Sequence, residues 1–185
     1  MKDEELEKSL RECFRAAEKD EKKGRKHKGL LLAKPDDKAA SEYIKKAKME
    51  LELCEIYKQR GIDYKIAEEW FYSLYYCALA ILAKFGIETR SQKYTALFLR
   101  YVKNRDLIDY DEEFIKRITV YSEKDQKSEV DEREQSRYSS SIKNEKIRNR
   151  FEEMTSICKK AISQSEEIVF SPDEFKIPKE LLVLK

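Results

Sequence analysis

The chain has 185 residues, the size of one domain with appendages. Charged residues make up 41% and there are only 4 glycines, which excludes a loop-rich β protein; apolar residues also reach 41%, so a core can form beneath long solvated helices. A formal net charge of +2 gives no bulk argument for nucleic acid or membrane, so any such reading has to rest on local patches.

The first predicted element is an amphipathic helix over residues 1–21. Leu6, Leu10, Cys13, Phe14 and Ala17 recur there at spacings of three and four. "KKGRKHKG", residues 22–29, then reads as a break or flexible loop; its cluster from Lys22 to Lys28 suits either a solvated linker or a contact to phosphate. Pro35 ahead of Asp36 and Asp37 marks a second helix start, with either aspartate able to cap. Ala40, Tyr43, Ile44, Ala47, Leu51, Cys54 and Tyr57 form its stripe, and Gly61 stops it after Arg60.

Asp63 is the expected cap of the next helix, which runs to Phe85 and ends at Gly86. Ala67, Trp70, Phe71, Leu74, Tyr75, Ala78, Ile81, Leu82 and Phe85 form one apolar face. Tyr72, Tyr76, Cys77 and Leu79 make the far side apolar or aromatic too. A helix apolar nearly all round is buried on both sides, either at the centre of its own bundle or in a seam with a second subunit.

Shorter helices follow in "SQKYTALFLRYVKN", with Tyr94, Leu97, Phe98, Tyr101 and Val102 inward, and in "DEEFIKRITVYSEKD", with Phe114, Ile115, Ile118 and Tyr121 inward. Residues 122–141 are highly polar. A long helix is predicted over 142–168 with a seam of Ile147, Phe151, Met154, Cys158 and Ala161. The tail carries Pro172 and Pro178, reads as extended, and ends in an apolar "LLVL" suited to docking back or to binding another chain. No segment shows strand alternation. Short connections imply antiparallel neighbours, so the expectation is an all-α, up-and-down bundle of four to five helices with an extra N-terminal helix. The corresponding division is 1–34 for the N-terminal helix and basic linker, 35–168 for the bundle, and 169–185 for the tail.

Chemistry is sparse. The longest uncharged run, "WFYSLYYCALAILA", has fourteen residues, short of the ~20 that span a bilayer. No apolar signal region stands at the N-terminus, so a soluble cytoplasmic protein is expected. Cys13, Cys54, Cys77 and Cys158 are scattered with no CxxC pair and read as buried free thiols. With His27 the one histidine, neither a metal site nor a cofactor is expected. No Gly-rich phosphate loop is present. The Glu68–Glu69 and Glu152–Glu153 pairs read as solvated faces.

The remaining candidate is "DEREQSRYSSS", residues 131–141. Arg133 and Arg137 are four apart and share a face if the segment is helical, with Tyr138 beside them. "KNEKIRNR" adds Lys143, Lys146, Arg148 and Arg150. Guanidinium forks suit phosphate oxygens, so these five basic groups after Arg133 are candidate phosphate- or RNA-binding residues. The plain alternative is a charged helix end with i,i+4 ion pairs.

The order and texture of these elements resemble the HEPN-domain family, in prokaryotic, archaeal-type members associated with nucleotidyltransferases. The resemblance lies in "SEYIKKAKMELELCEIYKQRGIDYKIAEEWFYSLYYCALAILAKFGI", in "ETRSQKYTALFLRYV", and in "REQSRY" at residues 133–138, and it covers roughly 36–165. It implies a helical bundle that pairs as a homodimer, here through Trp70–Phe85. It implies that Arg133 binds phosphate at the dimer cleft and that Tyr138 ends the motif as a catalytic or nucleotide-accepting group. It also implies RNA or nucleotide as ligand and a minimal nucleotidyltransferase as partner in a toxin–antitoxin couple. The motif here has no histidine. A phenol with an ordinary pKa of about 10 is a poor base at neutral pH, and losing acid–base help costs roughly 10²–10⁴ in rate. The favoured function is therefore a nucleotide- or RNA-binding toxin-like component. The alternatives are a non-catalytic interaction module and a metal-independent endoribonuclease using Arg133. An Arg133 locked in a private ion pair would count against the first.

Overall fold

The computed structural model describes residues 3–119, 129–138 and 144–182. The fold is an all-α helical bundle. Helix α1 (Asp3–Lys22) opens the chain, and its Leu6, Leu10, Cys13, Phe14 and Ala17 are buried as the three-four spacing requires. They join the same core as the rest of the bundle. Strand β1 (Leu30–Leu32) follows. Helix α2 (Asp37–Arg60) is capped by Asp36, whose side chain accepts from the Ala39 amide at 2.8 Å, and is closed by Gly61 at φ 68°. Only Gly61 and Ile62 separate it from helix α3 (Asp63–Lys84), so the two pack side by side along their length.

Helix α3 is the axis of the molecule. Helices α2 and α8 (Phe151–Val169) cover most of it, and helix α6 (Glu129–Tyr138) lies along its N-terminal half. Helix α4 (Gln92–Asn104), helix α5 (Glu112–Ile118) and helix α7 (Glu145–Asn149) close the remaining sides. Trp70, Phe71, Leu74, Cys77, Ala78, Ile81, Leu82 and Phe85 are all buried by this one chain. Its all-round apolar character is thus that of a central helix. Tyr72, Tyr75, Tyr76 and Leu79 stay partly exposed. No described helix is long and apolar enough to cross a membrane.

Four elements differ from the sequence expectation. A two-stranded antiparallel pair joins β1 to strand β2 (Ile87–Thr89), with Leu30 opposite Thr89 and Leu32 opposite Ile87. Three-residue strands are too short to display an alternation, and their partners lie far apart in sequence. The long helix predicted over 142–168 is two helices: α7 starts on an Asn144 cap, and Arg150 separates it from α8. The 122–141 segment contains α6, whereas the helix expected through Tyr121 stops at Ile118, Tyr121 lying outside the described residues. The tail is not wholly extended: helix α9 (Lys179–Leu182) docks on α1 with Leu181 buried, and Phe175 packs 5.1 Å from Phe85.

Asp63 also departs from its expected role. It makes no capping bond for α3 and is fully buried. Its Oδ2 accepts from the Asn144 amide at 2.9 Å and from Arg148 Nε at 2.7 Å, which ties the start of α7 to the start of α3.

Candidate functional site

The sequence of α6 contains little to hold it in place except one narrow face. Val130 and Ser136 are buried on that face, and Arg133 lies between them. Residues 130, 133 and 136–137 recur with helical period, so this stripe is what α6 turns toward α3 and α5.

Arg133 lies flat on aromatic rings. Its guanidinium carbon is 4.3 Å from the Phe71 ring centroid and 5.9 Å from that of Tyr72. Its side chain is only 15% exposed, and its one ion pair among the described residues, to Glu134, is long at 3.9 Å. Its Nε is buried with no hydrogen-bond partner. A stacked guanidinium gains cation–π attraction, worth about 0.5–2 kcal/mol, while its in-plane N–H groups are left for another acceptor. Among the described residues, therefore, none locks Arg133 in a private ion pair.

The floor continues as a row of rings. Phe71 stacks on Tyr75 (5.6 Å, 15°) and meets Tyr72 edge-on (5.3 Å, 70°). Tyr72 leads to Tyr76 and Tyr76 stacks on Tyr43 of α2, each step 6.1 Å. The Lys46 ammonium stands over both Tyr43 and Tyr76.

Arg137, one turn beyond Arg133, is held by Glu68, which also takes Lys65 at 3.0 Å. Burial pushes the Glu68 carboxyl up, but the hydrogen bonds from Lys65 and Arg137 outweigh it and keep the carboxyl below its ordinary value. The adjacent Glu69 behaves oppositely. Burial, then its hydrogen bond and repulsion with Glu50, push its carboxyl up to about 8, so it carries a proton at neutral pH. Two adjacent glutamates that read as one solvated face are thus an ion-pair centre and a neutral acid.

The other predicted site residues lie apart. Arg148 is engaged by Asp63. Arg150 donates to Met154 Sδ at 3.3 Å and lies 3.9 Å from Glu153. Lys146 is exposed on α7, and Lys143 lies outside the described residues. Tyr138 ends α6 and is 83% exposed. Five positions separate it from Arg133, so the two side chains point about 140° apart around the helix. The structure brings Arg133 and Arg137 onto one edge, and it does not bring Tyr138 to the same point.

The site residues that sequence reasoning does not single out are those α3 supplies: Phe71 and Tyr72 as a floor, Glu68 as a counter-ion, and Asp63 as the tie to α7. The signal for Glu68 and Asp63 is charge on an otherwise apolar helix, since a carboxylate retained among buried positions needs a partner. All four cysteines are buried and free, and burial pushes Cys13 up to about 11 and Cys77 up to about 12, so neither thiol is poised to react. Among the described residues no group of three His, Cys, Asp or Glu side chains is placed to hold a metal ion. No family model, curated protein or solved structure matches this chain.

Proposed function

We propose that the chain is a HEPN-type nucleotide- and RNA-binding protein, a toxin-like component that works with a minimal nucleotidyltransferase. In this reading α6 is its phosphate-contact edge. The observation that carries the reading is Arg133: a planar cation laid on Phe71 with no acid closer than 3.9 Å among the described residues. Phosphate oxygens are natural acceptors for a guanidinium held this way.

Tyr138 fits the role of nucleotide acceptor better than that of a base. Its exposed ring is open to a partner enzyme and turned away from Arg133. In such a transfer the phenol oxygen attacks the α-phosphorus of a nucleoside triphosphate. A phosphodiester forms, the bond to pyrophosphate breaks, and the phenolic proton passes to a base on the partner. The homodimer belongs to the same reading, with the partly exposed Tyr72, Tyr76 and Leu79 as the part of Trp70–Phe85 still open to a second copy.

The interaction-module reading draws on the Arg137–Glu68 and Arg148–Asp63 pairs, which spend two candidate phosphate ligands on holding the fold. The endoribonuclease reading lacks a histidine beside Arg133 among the described residues. His27 has a buried ring on the α1–β1 connection, while α6 packs on α3 and α5.

The test incubates the protein with ATP and the nucleotidyltransferase of its locus, then maps the modified peptide by mass spectrometry. Nucleotide on Tyr138, abolished by Tyr138→Phe, is expected. Modification elsewhere, or none, overturns the acceptor role. RNA incubated in excess chelator and left equally intact by wild type and Arg133→Ala removes the nuclease alternative.

A further inference from the structure

The basic loop between α1 and β1 has no part in the site above, and the structure changes its meaning. Lys22, Lys23, Arg25, Lys26 and Lys28 are all exposed, while His27 between them is 1% exposed. The backbone here is tightly held. Gly24 takes φ 66°, and the Arg25 amide donates to the Asp20 carbonyl at 2.9 Å. Gly29 lies so close to Cys13 that an added Cβ would stand 2.5 Å from its Sγ, and the Leu30 amide donates to that sulfur at 3.2 Å.

Two further cations reach this place from elsewhere in the chain. The Arg90 amide donates to the Gly29 carbonyl at 3.0 Å, which brings the end of β2 beside the loop. Lys93, in the first turn of α4, is close enough to Cys13 to act on its thiol electrostatically. Both side chains are exposed. Glu18 holds Lys22 and Asp20 holds Arg25, but Lys23, Lys26, Lys28, Arg90 and Lys93 have no acidic partner among the described residues. The half-buried Tyr94 ring lies 5.6 Å from the Lys93 ammonium. Thr95 in the first turn of α4 lies near enough to the Tyr75 phenol to act on it electrostatically, and Tyr75 stacks on Phe71 beneath Arg133, so the start of α4 links this patch to the α6 edge.

We propose that Lys23, Lys26, Lys28, Arg90 and Lys93 form a second phosphate-contact surface, which carries the backbone of a single-stranded RNA leading to Arg133. The inference rests on the RNA-binding reading of α6. Unpaired cations spaced along an ordered surface, with an aromatic ring beside them, are what a single strand needs: charge for its phosphates and a π-face for a base. No exposed apolar side chain stands within 22–28 to enter a bilayer.

Fluorescence anisotropy with a labelled oligouridylate tests this across a salt series. The proteins are wild type, the triple variant Lys23→Gln/Lys26→Gln/Lys28→Gln, and Arg133→Ala, each checked by circular dichroism. Losing three contacts to a single strand should lower the slope of log K against log salt by about 2, and affinity at low salt at least about tenfold. A triple variant with wild-type affinity and slope overturns the loop surface, whatever Arg133→Ala does. A weakened triple variant beside an unaffected Arg133→Ala supports the loop and sinks the α6 reading. Wild type that ignores the oligonucleotide overturns both. Loop-dependent binding to phosphatidylserine vesicles as tight as to RNA overturns the choice of RNA.

Discussion

Replacing Glu69 by Gln should free the protein from a pH-dependent loss of stability. Glu69 is 8% exposed, on the α3 face turned toward α2, and is hydrogen-bonded to Glu50. Glu68 repels it, and Lys65 offsets only part of that. Its carboxyl rises from an ordinary 4.5 to about 8, so the folded chain holds this proton more tightly than the unfolded chain does. The resulting stability is fully present below about pH 4.5 and is lost as pH rises through about 8. At 1.4 kcal/mol per unit of displacement, the loss between pH 6 and pH 8 is about 2 kcal/mol. For a chain of this length that is a fall of about 4–8 °C in Tm. Glu69→Gln is nearly isosteric and keeps a donor for Glu50. The assay is urea unfolding of both proteins at half-unit steps from pH 5 to pH 9. The difference between the two curves cancels every other titrating group. It should grow in favour of the variant as pH rises, by about 2 kcal/mol between pH 6 and pH 8 and by about 4 kcal/mol over the whole range. Parallel curves across the range would show that Glu69 is not the neutral acid described.

Asp63→Asn should cost about 2–3 kcal/mol in urea unfolding, because Asp63 is buried beneath charge-assisted bonds from Arg148 and the Asn144 amide; a change below 0.5 kcal/mol would mean that α7 is held by packing alone. Gly29→Ala should cost about 1–3 kcal/mol in thermal melting, since its Cβ meets the Cys13 sulfur; an unchanged Tm would contradict the tight seat of the basic loop.

The bundle was legible because its strongest signals are local. The spans expected for α2 and α3 agree with Asp37–Arg60 and Asp63–Lys84, each stopped beside a glycine of positive φ, Gly61 or Gly86. What could not be read depends on residues far apart in the chain. The β1–β2 pair is one case. The break at Arg150 is another: the apolar seam runs through it unchanged, while Asn144 starts a separate turn pinned by Asp63. At the site, Arg133 and Arg137 were readable as sharing a face. Sequence could not show that Phe71 lies under the first and Glu68 across from the second, because those contacts exist only once α6 is laid on α3. That Tyr138 turns away follows from its five-position spacing once α6 is known to be a helix.

The central claim is that Arg133, laid on Phe71 and only loosely paired with Glu134, contacts phosphate. Equilibrium binding of a single-stranded RNA to wild type, Arg133→Ala and Arg133→Lys, at one low salt concentration, tests it most directly. Losing a charge-assisted contact of about 1.5–3 kcal/mol should weaken binding roughly 10–100-fold in Arg133→Ala. Arg133→Lys should recover only part, since a lysine keeps the charge without the fork. Equal affinities for all three proteins, each melting like wild type, would contradict the account.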